Sequence, residues 1–333
     1  MKITINDIAE KAGVSKSTVS YALSGSRPIS EEVRERIGLV MRELNYRPSH
    51  AARMMRQGKT MGIGVAVDQC SNPASALFLE ELGSLARQHG YHVMLGISGG
   101  IAGEGRKILE HFSTGIVDGI INCMPEISLV EAIRRCGDMP TVTYNRNDSA
   151  SPAGPNYIKG ITELLSYLTS MGHRRIGFIS IRQRGMKSAG ESGDPCLLGY
   201  KMFCSGAGLT IHPELTVIGD GSFESGKALG ELLHNAGATA IFAGNDRAAA
   251  GVLAWAHEKG IRIPEQLSVA GWDDSPLASA CFPALTTIQM PYKELAKYTF
   301  DALLRRIRGE EALPKQMVDP RLIIRYSTAP VKS

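Results

Sequence analysis

The chain has 333 residues, of which 43% are hydrophobic and 21% are charged, and its formal net charge at pH 7 is +4. This length exceeds one ordinary domain and the hydrophobic fraction supports a packed core, which excludes a disordered chain. With no run of about 18 apolar residues and no signal-peptide stretch, we expect no membrane span and a cytoplasmic protein. The six cysteines form no C-x-x-C pair, which predicts reduced thiols rather than disulfides or a zinc site.

Residues 4–24 contain two short helical patterns separated by a glycine. Thr4 is a predicted N-cap, and Asp7 completes its capping box. Gly13 permits a left-handed turn before a second helix capped by Ser15. The apolar residues at helical spacing are Ile5, Ile8, Ala9, Ala12, Val14, Val19, Ala22 and Leu23. This pattern predicts a helix-turn-helix whose second helix reads base edges from its exposed start. The candidate DNA-binding residues here are Thr4, Lys16, Ser17, Ser20 and Tyr21.

A third helix is predicted after Ser30, because Glu31 and Glu32 in its first turn favour the helix dipole. Residues 1–60 hold eleven Lys and Arg against six Asp and Glu, a net charge of +5, which leaves the rest of the chain at −1. A cationic head is expected of a segment that meets phosphates. The alternative is a helical cap on a larger domain, with an ordinary solvated surface.

Residues 49–60 link this head to the rest of the chain. The stretch 49–57 is compatible with a helix but is too short to be stable alone in water. On DNA, Arg53 and Arg56 would neutralise phosphates while an apolar Met54 or Met55 would wedge between base steps in the minor groove. The alternative is a passive tether.

From residue 61 onward, short apolar runs alternate with amphipathic stretches. The predicted strands are Ile63–Val67, Val93–Ile97, Gly119–Ile121, Thr141–Tyr144, Ile176–Ile181, Leu215–Ile218, Ala240–Ala243 and Leu267–Ala270. The predicted helices are Ala76–His89, Glu104–Phe112, Leu129–Arg135, Ile158–Met171, Leu197–Ala207, Glu224–His234 and Ala248–Lys259. This alternation predicts two doubly wound parallel sheets, with a ligand cleft at the carboxyl ends of their strands.

Several motifs recur along the chain at the spacing of one known family. The matching segments are Thr4–Ala9, Ala12–Ser15, Thr18–Ser20, Leu44–Pro48, Val117–Ile121, Gly172–Ile179, Gly244–Asp246, Gly271–Asp274 and Pro283–Ile288. In these segments the chain resembles the lactose-repressor (LacI/GalR) family of bacterial transcription regulators. The resemblance implies a small all-α helix-turn-helix head (residues 1–48), a hinge helix and linker (49–60), and an α/β periplasmic-binding-protein-like core (61–333) that binds an effector and dimerises.

The same resemblance implies how the core is divided. Its two doubly wound parallel-sheet subdomains would comprise about residues 61–160 plus 291–322, and 161–290 plus 323–333. The chain would cross between them near Gly160, Met290 and Ile323, and the C-terminal helix Tyr292–Arg308 would pack back on the first subdomain.

An enzyme is the first alternative for the cleft. Gly96–Gly100 formally satisfies the G-x-S-x-G motif of a hydrolase nucleophile. No HGGG-like oxyanion loop accompanies it, and the sequence has no P-loop, G-x-G-x-x-G or H-E-x-x-H motif. We therefore expect a binding function, with no catalytic residue, no cofactor and no metal site.

The family resemblance assigns seven residues to the effector site. They are Asn72, Asn145, Arg146, Cys196, Asn245, Trp272 and Asp273. Asn245 and Asp273 are the first candidates to bind hydroxyls, whereas Trp272 is equally suited to a core position. Asn72, which precedes a proline, is equally suited to a turn.

The sequence departs from the family pattern at several of these positions. The family has Asp, Arg, one aromatic residue and paired aromatics where this chain has Asn145, Cys196, Gly221, Ala74 and Ser75. These differences predict a larger and less cationic pocket with a bulkier effector. Cys196 is alternatively a thiol sensor.

Together these features predict a sequence-specific DNA-binding transcription regulator, a repressor, that acts as a homodimer on a pseudo-palindromic operator in double-stranded DNA. A small polyhydroxylated effector, a sugar or sugar derivative bound between the subdomains, would control operator affinity by favouring one of two states. The alternative is a sugar-binding module or sugar-modifying enzyme with a DNA-binding appendage.

Overall fold

The computed structural model describes residues 3–24, 27–46, 59–144, 150–182 and 195–331. The chain divides into two compact units, Met1–Met61 and Gly62–Ser333. Five residues of the predicted DNA and effector sites lie outside the described ranges: Arg53, Met55, Arg56, Asn145 and Arg146.

The described part of the first unit forms three helices: α1 (Ile5–Lys11), α2 (Lys16–Ser24) and α3 (Glu31–Glu43). The backbone N–H and the hydroxyl of Thr4 both donate to the Asp7 carboxylate, at 2.7 and 2.8 Å, so the predicted capping residues do pair. The Ser30 hydroxyl accepts the backbone N–H of Val33 at 3.4 Å and caps α3. The buried core that the helices share is Ile8, Ala9, Ala12, Val19, Ile37 and Val40.

The second unit begins with a parallel four-stranded sheet in the order β2-β1-β3-β4. Its strands and helices, in chain order, are β1 (Gly62–Val67), α4 (Pro73–Gln88), β2 (His92–Ile97), α5 (Ala102–Phe112), β3 (Gly119–Cys123), α6 (Leu129–Cys136) and β4 (Thr141–Thr143). The central strands β1 and β3 are almost entirely buried, as expected of parallel strands covered on both faces, whereas β2 lies at the edge.

The elements that follow, in chain order, are β5 (Ala153–Pro155), α7 (Tyr157–Ser170), β6 (Ile176–Ile181), α8 (Pro195–Gly206), β7 (Thr216–Gly219), α9 (Phe223–Asn235), β8 (Ala240–Ala243), α10 (Asp246–Glu258), β9 (Ser268–Asp273), α11 (Pro276–Ala280), β10 (Thr286–Gln289), α12 (Tyr292–Ile307), β11 (Gln316–Val318) and β12 (Arg321–Ile323). Six of these strands form a second sheet in the order β12-β10-β9-β8-β6-β7. It is parallel except where β12 pairs antiparallel with β10.

Helix α12 packs on α4, β3 and β4, as the family resemblance implies for the C-terminal helix. We call the four-stranded sheet with α4–α6 and α12 the first half of the second unit, and the six-stranded sheet with α7–α11 the second half. Strands β5 and β11 pair with each other in parallel. In the chain, β5 lies between β4 and α7, and β11 lies between α12 and β12.

Gly160 and Ile323, two of the proposed crossing points, lie in elements that contact the six-stranded sheet. An ideal Cβ built on Gly160 would meet Pro320 at 2.7 Å and Trp272 at 3.0 Å, so this glycine already packs against the second half. Ile323 ends β12, which belongs to the six-stranded sheet. The chain has therefore crossed before α7 and before β12. Met290, the third proposed crossing point, lies between β10 and α12.

Within the described ranges, no helix is both long and apolar enough to cross a membrane. The same ranges contain no group of three or more His, Cys, Asp or Glu side chains placed to hold a metal ion.

Candidate functional site

The turn between α1 and α2 is shaped by a glycine and a serine. Gly13 has φ of +65°, in the left-handed region that glycine adopts without steric cost. The Ser15 hydroxyl accepts the backbone N–H of Thr18 at 3.1 Å, which caps α2. The same hydroxyl lies 2.7 Å from that of Ser17. These contacts fix the first turn of α2, where the predicted base-reading residues begin.

The predicted base-reading residues lie on the side of α2 away from the core. Lys16 and Ser17 are exposed, and Ser20 and Tyr21 are half-buried. Val19, between them in sequence, is fully buried. Helical periodicity alone therefore sorts this helix into a packed face and an accessible face.

Sequence reasoning missed Arg27, a neighbour of Tyr21. Its guanidinium carbon lies 5.1 Å from the centroid of the Tyr21 ring, in cation–π geometry. Thr4 is exposed, and its side chain is occupied by the cap of α1. Arg27 follows α2 rather than lying on it, so helical spacing gives no signal for this pair.

A cavity lies between the two halves of the second unit at the carboxyl ends of their strands. Its volume is about 870 Å³ when the solvent-filled opening is included. Its described polar lining includes Asp68, Asn72, Ser75, Asn245 and Asp273. Its described aromatic lining is Phe78, Tyr144, Tyr157 and Tyr292. This position, at the carboxyl ends of parallel strands, is the expected one for a ligand cleft in an α/β fold.

The two amides of the lining are also helix caps. The Asn72 side-chain oxygen accepts the backbone N–H of Ala74 at 3.1 Å at the start of α4. The Asn245 side-chain oxygen accepts that of Ala248 at 2.8 Å at the start of α10. With its oxygen engaged in the cap, the Asn72 amide offers N–H donors to the cavity, and Asn245, which donates one N–H to the Gly221 carbonyl, has one N–H left. The structural and ligand-binding interpretations of Asn72 are therefore compatible.

The two carboxylates of the lining have different partners. Asp273 accepts a hydrogen bond from the Tyr292 hydroxyl at 2.7 Å. Asp68 accepts the backbone N–H of Gln69 at 2.8 Å, yet burial raises the pKa of Asp68 above its usual value. Asp68 and Tyr292 escaped sequence reasoning, because neither is part of a motif that points to the cavity.

The aromatic residues form two stacked pairs, one in each half. Phe78 and Tyr144 stack with ring centroids 4.0 Å apart and planes within 5°. Tyr157 stacks on Trp272 at 5.8 Å. Trp272 is fully buried and lies outside the described lining, behind Tyr157, and its indole nitrogen has no hydrogen-bond partner among the described atoms.

Two other predicted features of the pocket lie apart from the lining. Cys196, in α8, is buried and does not belong to the described lining of the cavity. Gly221 has φ of +76°, and an ideal Cβ there would meet the Asn245 side-chain nitrogen at 2.7 Å. The Gly221 carbonyl accepts hydrogen bonds from Asn245 at 3.1 Å and from the Arg247 Nε at 2.8 Å. The glycine thus lets the N-cap residue of α10 and a side chain of its first turn converge on one carbonyl.

Arg247 also reaches the other half, where its Nη1 donates to the Ser71 carbonyl at 3.4 Å. In the G-x-S-x-G segment, Ser98 is buried and its hydroxyl donates to the Glu126 carboxylate at 2.5 Å. A serine held by a carboxylate lacks the imidazole base of a nucleophile elbow.

Comparison with known proteins decides the family. The helix-turn-helix model of the lacI family of bacterial regulatory proteins matches residues 4–49, and a periplasmic binding protein-like domain matches residues 165–328. The chain is 31% identical to the ribose operon repressor of Haemophilus influenzae, over 99% of both chains. It is 32% identical to the transcriptional repressor PurR of Pectobacterium atrosepticum, over 98% of this chain and 97% of that one. The chain belongs to the LacI family of bacterial regulatory proteins.

A solved structure gives the same fold. The lac repressor dimer bound to operator and the anti-inducer ONPF superposes with a TM-score of 0.86 and 25% identity, over 99% of this chain and 100% of that one. The predicted LacI-type fold, a helix-turn-helix head with an α/β core of two sheets, is therefore confirmed. This LacI-family chain is a DNA-binding transcriptional repressor, and its relatives are transcription regulators rather than enzymes.

Proposed function

We propose that this LacI-family repressor binds a pseudo-palindromic operator as a homodimer and that a small polyhydroxylated effector in the cavity controls its operator affinity. The observation that carries the proposal is the cavity itself, which lies between two halves that each contribute one carboxylate, one capping amide and one aromatic pair. A ligand that contacts both halves favours one arrangement of them over another.

The hydrogen-bonding groups of the cavity favour hydroxyls. Asn72 and Asn245 offer N–H donors, whereas the carboxylates of Asp68 and Asp273 offer acceptors. A hydroxyl is both donor and acceptor, so a ligand rich in hydroxyls satisfies both kinds of group. The stacked aromatic walls suit the apolar faces of a sugar-like ring. The relative from Haemophilus influenzae is a ribose operon repressor, which supports an effector of this class.

In the first unit, Lys16, Ser17, Ser20 and Tyr21 are the proposed base-reading residues, and Thr4 is proposed to lie at the DNA backbone. A helix with an accessible, capped start suits the major groove. For the linker, Arg53 and Arg56 remain proposed phosphate contacts, and Met55 a proposed minor-groove wedge.

An edge strand supports the homodimer. Strand β2 exposes a run of apolar side chains, Val93, Met94, Leu95 and Ile97, with exposures from 37 to 54%. An apolar edge strand left in water is prone to pair with other chains, so it needs a cover. The second copy of the chain is the proposed cover, and the structural relative bound to operator is a dimer.

The experiment that tests the proposal is selection of binding sites from random duplexes by the full-length protein. We expect an enriched site with two inverted half-sites. Metabolites that correspond to the genes beside genomic copies of this site then serve as candidate effectors in operator titrations. Enrichment of a single half-site, or no change of operator affinity with any of these metabolites, would contradict the homodimer or the effector control respectively.

A further inference from the structure

Two consecutive residues at the end of β9 have backbone conformations that side chains rarely adopt. Asp273 has φ of +113° and Asp274 has φ of +53°, although neither is a glycine. A positive φ at a residue with a Cβ costs free energy and persists only where the surrounding structure holds it in place. The contacts around the turn at 273–274 therefore have to offset this cost.

The second residue of the turn is held through its own side chain. The Asp274 carboxylate accepts hydrogen bonds from the Arg325 Nη2 at 2.6 Å and from the Gln289 Nε2 at 2.9 Å. The Arg325 Nη1 also donates to the Leu285 carbonyl at 2.9 Å, so the guanidinium is itself fixed. These bonds tie the turn to β10, the neighbour of β9 in the sheet, and to the segment that follows β12.

The residue after the turn is held by a buried carboxylate, Asp246, in the first turn of α10. The Asp246 Oδ2 accepts the backbone N–H of Ser275 at 2.6 Å and the Ser275 hydroxyl at 2.9 Å. The Asp246 Oδ1 accepts the Thr287 hydroxyl at 2.5 Å, so both oxygens are engaged. The three bonds fix Ser275, immediately after the turn, against the start of α10.

The helix to which Asp246 belongs does not need these contacts in order to begin. Asn245 is the N-cap of α10, and its side chain accepts the backbone N–H of Ala248 at 2.8 Å. Burial raises the pKa of Asp246 to about 6, so a carboxylate at this position has a cost. The donors that offset this cost are Ser275 and Thr287, which lie outside α10. Asp246 therefore acts on the turn rather than on its own helix.

We propose that Asp246 is a positioning residue for the contact between the two halves, because it holds the turn at 273–274 in the conformation from which Asp273 bonds Tyr292. That bond is 2.7 Å long, and Tyr292 begins α12, which packs on the first half. Loss of the Asp246 carboxylate would let the turn relax towards negative φ and move Asp273 away from the Tyr292 hydroxyl. Only the consequence for operator affinity rests on the proposed function.

A double-mutant cycle on the full-length, ligand-free protein tests the proposal. Tyr292→Phe is made in the wild type and in Asp246→Ala, and denaturant titrations measure the free energy of unfolding of all four proteins. If Asp246 positions Asp273, the loss caused by Tyr292→Phe in the Asp246→Ala background should be at most half of the loss in the wild type. Equal losses in the two backgrounds would overturn the proposal.

Two further variants separate positioning from a general weakening of the second half. Tyr200→Phe removes another buried hydroxyl, which donates to a strand carbonyl at 2.8 Å, and it should cause the same loss in both backgrounds. Asp246→Asn keeps an oxygen that can accept from Ser275, so the Tyr292→Phe loss should return to most of its wild-type size. A Tyr200→Phe loss that is also halved, or no recovery in Asp246→Asn, would show that Asp246 does not act through the turn.

Thr287→Val covers the case in which Asp246→Ala does not fold. It removes only the hydroxyl that orients the Asp246 Oδ1, so it should reduce the Tyr292→Phe loss in the same direction. An unreduced loss in this background would contradict the proposal as well.

Titrations with the selected operator and with random duplex connect the turn to regulation. The folded variant of the cycle should change operator affinity by about fivefold or more and leave affinity for random duplex unchanged. Unchanged operator affinity would contradict a regulatory role of the turn and leave the effector function standing. A wild type that selects no operator would contradict the proposed function, whereas the result of the cycle would still decide whether Asp246 positions Asp273.

Discussion

The Tyr292 hydroxyl donates a 2.7 Å hydrogen bond to the Asp273 carboxylate across the two halves that enclose the cavity. Tyr292 begins α12, which packs on the first half, whereas Asp273 ends β9 of the second half. Burial, reinforced by the charge of Asp273, raises the pKa of Tyr292 well above its usual value, so the hydroxyl remains a donor. An effector that binds Asp273 therefore acts on a carboxylate that already couples the halves.

Tyr292→Phe should lower the free energy of unfolding by about 1.5–3 kcal/mol, the usual worth of a buried hydrogen bond to a charged group. The control is Tyr298→Phe on the same helix, whose ring packs near Lys297 and which should change stability little. Denaturant titrations of the three proteins measure the difference. Equal midpoints for the two variants would show that the Tyr292 hydrogen bond does not stabilise the native state.

Tyr21→Ala should change the base preference of the repressor, because a base-edge contact is worth about 1–3 kcal/mol of discrimination. Arg36→Ala, which removes an exposed cation from α3, should change affinity for all sequences alike. Binding-site selection with each variant measures the preference. A Tyr21→Ala profile identical to that of the wild type would place α2 away from the base edges.

Met55→Ala should weaken binding to the operator more than binding to random duplex, since a minor-groove wedge repays a few kcal/mol of base unstacking at the specific site. Met54→Ala is the matched control and should affect both duplexes little. Parallel titrations at one salt concentration measure both affinities. An equal loss on the two duplexes after Met55→Ala would favour a passive tether.

Gly221→Ala should destabilise the protein more than Gly208→Ala, although both glycines have positive φ, +76° and +64°. Each alanine incurs the left-handed backbone cost of about 1–2 kcal/mol. At position 221 the new Cβ also collides with Asn245 and Ile181, whereas nothing lies within 4 Å at position 208. If Gly221→Ala and Gly208→Ala lower the free energy of unfolding equally, the Asn245 side chain moves aside without cost.

Ionisation of the Asp246 carboxyl should lower the free energy of unfolding as the pH rises from about 4 to about 6. Burial raises the pKa of Asp246 from 3.8 to about 6, although Thr287 and Ser275 donate to it. In this window the Asp246 carboxyl has lost its proton in the unfolded chain but keeps it in the native state. The free energy of unfolding therefore decreases by up to about 3 kcal/mol, and above about pH 6 this contribution no longer changes. Denaturant titrations across this range, compared with Asp246→Asn, measure the contribution. Parallel curves for the two proteins would contradict the raised pKa.

Local sequence patterns predict the elements of this repressor well because local chemistry determines them. The caps at Thr4, Ser15 and Ser30 and the turn at Gly13 each depend on residues within four positions. Short continuous apolar runs likewise predict β1 and β3, whose side chains pack on both faces. In such segments, residues that are close in the sequence are also close in the structure.

The cavity is harder to predict because its contacts join distant parts of the chain. The family resemblance finds Asn72, Asn245 and Asp273, which line the cavity. It also names Cys196 and Trp272, whose side chains are buried outside the described lining. No sequence motif indicates that Asp68 lines the same cavity as Asp273, which lies about two hundred positions further along the chain. Tertiary packing alone brings the two residues together.

The stack of Tyr157 on Trp272 has a practical consequence for spectroscopy. The chain has two tryptophans, Trp255 and Trp272, and both are buried. Because Trp272 lies directly behind a wall of the cavity, its fluorescence should respond when that wall moves. Trp255→Phe would leave Trp272 as the single tryptophan, so ligand titrations can be followed by selectively excited tryptophan fluorescence without an attached dye.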